Sequence, residues 1–121
     1  MASTSTEPRR GQVWLASLGA ARSGEPGKNR PVVIVSADQI IAGPSHELIV
    51  VVPLSSSLPP SPLRPEVGDV EGVDRSSRAI PRAIRGVARS RLLHRLGVLP
   101  PAKLAEIERA LALVLDLELA G

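Results

Sequence analysis

Apolar positions come first in short β-branched runs and last at helical spacing. Gln12 to Leu18 alternates loosely through Val13 and Leu15 and predicts a strand. Pro31 to Ser36 is a β-branched run and predicts a buried strand, its proline at the first position, where a missing N–H is tolerated. Glu47 to Leu54 carries the strongest strand signal, and Pro53 marks its end or an edge. Ala37 to Ala42 fits a helical turn before the breaker Gly43-Pro44. Residues 19–30, rich in Gly and charge, and Ser55 to Pro65, with four Ser and four Pro, read as loops. Glu66 to Val73 alternates weakly and fits a strand or hairpin. Two short strand candidates follow, around Ala79-Ile80 and Ala83–Val87. Ser90 is placed to cap a short helical turn through His94, ended by Gly97. Pro100 and Pro101 then open the clearest helix, with Leu104, Ile107, Leu111 and Val114 on one stripe. Leu113, Leu115 and Leu117 make its end apolar nearly all round, which suggests burial on more than one side, as in a dimer.

Strands first and a helix last, without repeats or βαβ alternation, predict a mostly antiparallel barrel with a packed C-terminal helix. The 121 residues suffice for one domain, read as 10–121 behind a disordered leader at 1–9. Trp14 is the only aromatic among Phe, Trp and Tyr, so the core must be aliphatic and base stacking on Phe or Tyr is excluded. With no Cys, disulfides, thiolate catalysis and sulfur-based zinc sites are out. No clustered carboxylates offer a metal site, and no cofactor motif occurs. His46 and His94 read as surface residues. The first ten residues carry no apolar core of a secretory signal, and no apolar run spans a membrane, so the expected location is the cytoplasm.

Charge changes the picture. Thirteen of the fifteen basic residues are Arg, and seven of them lie between Arg75 and Arg95 with no acid among them. Guanidinium forks match phosphate oxygens and stack on bases, which fits a polyanionic partner. A solvated Arg-rich surface has the same composition.

The chemistry-bearing pieces are discontinuous. Arg10-Gly-Gln-Val-Trp14 is followed by Gly24-Glu25 and Arg30-Pro31, then Val32 to Ser36. Next come Val51-Val-Pro-Leu-Ser-Ser56, Ile84-Arg85, Arg91-Leu92, Gly97 and the Leu-rich helix. In this order, across residues 9 to 117, the chain resembles the MazF/PemK (Kid) family of ribonuclease toxins. The resemblance implies a homodimer of SH3-like barrels that cuts single-stranded RNA at short motifs without metal. It also implies a MazE-like antitoxin that blocks the RNA groove. The substrate's 2′-hydroxyl attacks the adjacent phosphorus, leaving a 2′,3′-cyclic phosphate and a 5′-hydroxyl. The family's catalytic Arg falls on Arg30, its strand-end Thr or Ser on Ser55, and its first-loop Glu on Glu25.

Those residue types suit the chemistry. In-line phosphoryl transfer needs charge stabilisation, a proton acceptor and a proton donor. Arg30 supplies a guanidinium fork, Ser55 a hydrogen-bond donor, and Glu25 is the only acid between Gly11 and Ala37. Lys28, Asn29, Ser36, Ser56, Ser57, Arg82 and Arg85 are the candidate RNA contacts. One departure stands out: Arg82 occupies the position where the family usually carries an acid paired with the Arg of the Ile-Arg step, here Arg85. The proton acceptor is thereby left open, with Glu25 favoured by default. The Arg-rich stretch fits an acidic antitoxin as well as RNA. A non-catalytic module of the CcdB type, sharing the fold but acting on a protein target such as DNA gyrase, is the alternative.

Overall fold

The computed structural model describes residues 7–20, 28–43, 48–68, 70 and 72–118. Strands β1 (Gln12–Ser17), β2 (Asn29–Ile34), β3 (Ile49–Ser55), β4 (Arg78–Ala79), β5 (Arg85–Val87) and β6 (Leu92–Val98) form one antiparallel sheet. Its order is β4-β3-β2-β1-β6, with β5 also paired to β3. A short helix α1 (Asp38–Ile41) follows β2, and the long helix α2 (Pro101–Leu115) closes the chain. Mostly antiparallel sheet with a C-terminal helix is the architecture the sequence predicts.

Both faces of the sheet are covered, and alternation sorts the side chains between them. Val13, Val33, Val52 and Leu54 face one cluster with Ile107 and Leu111 of α2. Trp14, Ala16, Val32, Ile34, Ile49 and Val51 face the other, with Val87 and Leu92. Burial on both sides explains why β2 and β3 read as unbroken apolar runs. Val67 and Val70 are buried in the α2-side cluster and Val73 packs on it; where a strand or hairpin is expected over 66–73, the described residues carry a single antiparallel bridge, Glu66 to Arg78. Val67 N–H donates to Ser77 O at 2.8 Å, and Val73 N–H to Val70 O at 3.1 Å. The turn at Asp74 is tightened by bonds from the Ser76 hydroxyl and N–H, which hold the Asp74 carboxyl below its ordinary value.

β2 starts at Asn29, two residues before the expected proline, and Pro31 lies inside it. Pro53 is likewise internal to β3. It falls where the outer neighbour of β3 changes from β5, opposite Ile49–Val51, to β4, opposite Leu54–Ser55. Its carbonyl still accepts from Ile80 N–H at 2.9 Å, while its bare nitrogen faces the gap between the two strands.

The expected helical turn from Ser90 through His94 is instead a 3-10 turn at Arg89–Arg91 running into β6. β6 is an edge strand, mostly exposed, with two register shifts against β1 that erase alternation. Gly97 does not end a helix there. A Cβ at this position would come 2.6 Å from Val70 Cγ1. Gly97→Ala is expected to destabilise the fold by about 1–3 kcal/mol through overpacking against a buried valine, read as a lower melting temperature by circular dichroism.

Residues 7–9, expected within the leader, are held to the domain. Pro8 is fully buried, Arg9 N–H donates to Gln12 Oε1 at 2.9 Å, and Glu7 lies 3.9 Å from Arg89. The rest of that leader lies outside the described residues. Arg10 ties α1, the residue after β2 and α2 together: its N–H donates to Asp38, and its guanidinium reaches Val35 O and Glu108. α2 ends on Asp116 in the left-handed region (φ 56), with Leu117 N–H closing on Ala112 O at 2.8 Å. Leu113, Leu115 and Leu117 stand 72%, 49% and 58% exposed, so this single chain leaves the end of α2 apolar and uncovered. No helix among the described residues is long and apolar enough to cross a membrane.

Candidate active site

The end of β1, the start of β2, the end of β3 and the start of β5 meet at one corner of the sheet. Ala16 pairs with Arg30 and Ser17 with Asn29. Val32 pairs with Pro53, and continuing that register by two residues sets Arg30 opposite Ser55. Arg30 shares its face with Val32 and Ile34, and Ser55 shares the same face with Val51, so both side chains emerge together. Arg30 Nη1 donates to Leu54 O at 3.2 Å, one residue from Ser55. The guanidinium and the hydroxyl are therefore neighbours across one strand pair.

Ser55 is only 8% exposed. Its Oγ accepts from Ser57 N–H at 3.3 Å and lies 3.1 Å from Ser57 Oγ. This local turn fixes the hydroxyl at the strand end. Ser56 and Ser57 are exposed beside it. Arg85 opens β5 opposite Val51, on the same face, and its Nη1 donates to Leu18 O at 3.4 Å. Lys28 and Asn29 are exposed at the entry to β2. Lys28 takes a left-handed backbone (φ 61), and its carbonyl accepts from Leu18 N–H at 2.9 Å, closing the loop between β1 and β2.

Two sequence-predicted contacts stand apart. Ser36 is 6% exposed, and its Oγ accepts from Val50 N–H at 2.7 Å. It lies past the far end of β2, six residues and about 20 Å along the strand from Arg30. Its hydroxyl satisfies a backbone donor. Arg82 is exposed on the 3-10 turn Pro81–Ala83, which packs against α2 and β3. Glu25 and His46 lie outside the described residues, and His94 is exposed on β6.

Three further arginines belong to this corner or border it. Arg91 Nη1 donates to Ser17 O at 3.1 Å, next to the carbonyl that holds Arg85. Arg89 stacks over Trp14 at 5.2 Å from the ring centroid and donates to Leu92 O at 3.4 Å. Arg78 pairs directly with Ser55 across β3 and β4. The Arg-rich stretch contained all three, but only strand register says which of them reach Ser55 or the end of β1. Two open clefts lie elsewhere, of about 710 and 520 Å³, against α2 and the loops 61–66 and 66–75. Neither is lined by Arg30 or Ser55.

A guanidinium and a hydroxyl lie side by side at one corner of the sheet, with further arginines on or beside it. Residues 9–115 match the family described as PemK-like, MazF-like toxin of type II toxin–antitoxin systems. Endoribonuclease MazF9 of Mycobacterium tuberculosis is 34% identical over 114 residues, spanning 90% of this chain and 97% of that protein. The probable endoribonuclease MazF of Mycolicibacterium smegmatis is 34% identical over 112 residues, with the same coverage. The crystal structure of MazF from Deinococcus radiodurans shares the fold at a TM-score of 0.79 and 22% identity, covering 91% of this chain and 97% of that one. A mycobacterial endoribonuclease solved with its cognate antitoxin superposes at a TM-score of 0.74 and 24% identity, covering 96% and 100%. The chain belongs to the PemK/MazF family of type II toxins, whose named relatives here are endoribonucleases.

Proposed function

We propose that this chain is a metal-independent endoribonuclease toxin that cuts single-stranded RNA at short motifs. It acts in the cytoplasm as a homodimer and is silenced by a cognate, acidic-tailed antitoxin. The observation that carries this reading is the placement of Arg30 beside the end of β3, on the face that Ser55 and Arg85 share.

The substrate's 2′-hydroxyl attacks the neighbouring phosphorus as the bond to O5′ breaks, giving a 2′,3′-cyclic phosphate and a 5′-hydroxyl. Negative charge grows on the non-bridging oxygens, where the Arg30 fork and the Ser55 hydroxyl stabilise it. Ser55 is not a nucleophile, because the substrate brings its own. Glu25 is our candidate for the group that takes the 2′-hydroxyl proton; Arg82, at the position usually acidic in the family, is a cation and cannot. Lys28, Asn29, Ser56, Ser57 and Arg85 flank Arg30 and Ser55 and contact the adjoining nucleotides, and Arg82 grips backbone further off. The uncovered leucines at the end of α2 support the dimer. The cationic stretch from Arg75 to Arg95 supports an acidic antitoxin competing with RNA.

Purified protein is expected to cleave a single-stranded RNA in the presence of EDTA. The new 3′ ends carry a cyclic phosphate, detected by mass spectrometry. Cleavage that stops in EDTA and returns with added divalent metal would overturn this chemistry. Intact RNA under all conditions would favour a non-catalytic toxin on the same fold.

A further inference from the structure

β2 and β3 are internal strands, yet each carries a proline, and the one in β2 sits next to Arg30. The alternation of an antiparallel ladder settles what faces it. Val35 N–H donates to Val50 O at 3.0 Å, and Val33 pairs with Val52. Stepping by two, residues 31 and 54 form the next hydrogen-bonding pair. Proline has no N–H, so the bond from residue 31 to Leu54 O cannot form. Leu54 is 1% exposed, and a buried carbonyl without a donor is costly. Arg30 Nη1, at 3.2 Å from Leu54 O, stands in for the missing donor.

We infer that Pro31 is a positioning residue: by withholding the ladder donor from Leu54, it makes that carbonyl the anchor for the Arg30 guanidinium. The anchor fixes one end of the fork beside Ser55 and thereby sets the plane of the guanidinium. Any other residue at position 31 brings an N–H, completes the 31/54 pair and displaces Nη1. The inference rests on the reading of Arg30 as the group that stabilises the transition state.

The test is Pro31→Ala in the full chain, assayed on single-stranded RNA in EDTA. kcat is expected to fall roughly tenfold with KM within about twofold, because the charge stays and only its aim is lost. The melting temperature does not fall, since the sheet gains a bond. In ¹⁵N spectra the Arg30 Nη–H signals, resolved while anchored, average on release. Arg30→Ala separates the two claims. If it cleaves like the wild type, the reading of Arg30 fails and this inference falls with it. If Arg30→Ala is inactive while Pro31→Ala keeps wild-type kcat and resolved Nη–H signals, the inference alone fails. A raised KM with unchanged kcat also overturns it. Should Pro31→Ala melt lower, a synthetic chain with N-methylalanine at 31, which again lacks the N–H, decides: recovered kcat supports the inference and unrecovered kcat overturns it.

Discussion

Arg30→Ala is expected to give a folded protein that has lost RNA cleavage by a factor on the order of 10²–10³ in kcat. The stability cost is small because Arg30 is half-buried, and its bond to Leu54 O is worth about 1 kcal/mol. The catalytic cost is large because a guanidinium is preorganised where charge develops, on a sheet that does not rearrange to meet it. Arg30→Lys should recover only part of the rate, since an ammonium keeps the charge and loses the two-pronged geometry. Initial rates on a single-stranded RNA, with melting curves beside them, check both. An Arg30→Ala protein that cleaves within tenfold of the wild type would remove Arg30 from the mechanism.

The largest stability effect is expected at Trp14→Ala, about 3–5 kcal/mol. Trp14 is 3% exposed, fills the cluster on the Arg30 side of the sheet, and donates its indole N–H to Gln12 Oε1 at 2.9 Å. No other aromatic is available to repack the space. The truncation also removes the ring beneath Arg89 and leaves Gln12, itself 6% exposed, with a weaker network. Calorimetry should show the melting temperature falling by on the order of 10–20 °C. A drop of under 5 °C would mean that the ring is not a core member.

Much of the architecture could be read from the chain, and the failures have physical causes. α2 was legible because Leu104, Ile107 and Leu111 put one apolar stripe on the sheet at helical spacing. β3 was legible because both of its faces are covered. β6 was hidden: an exposed edge strand with two register shifts has no period to display. The start of β2 was missed because Asn29 and Arg30 are polar and not buried, so the strand has no apolar pattern there. Arg30 and Ser55 were named from the order of short motifs, but their cross-strand relation follows only from register. That the Ser36 hydroxyl is buried and bonded to Val50 N–H was not legible, because a buried hydroxyl is written with the same letter as an exposed one. Arg78 and Arg91 were visible as charge, while their placement depends on contacts some twenty to seventy residues away.

The anchors of Arg85 and Arg91 are backbone carbonyls at the end of β1, not carboxylates. A dipole restrains a cation without cancelling it. Among the described residues, then, no carboxylate cancels either charge. Raising the ionic strength should therefore drive off a bound polyanion while leaving the binding surface shaped as before.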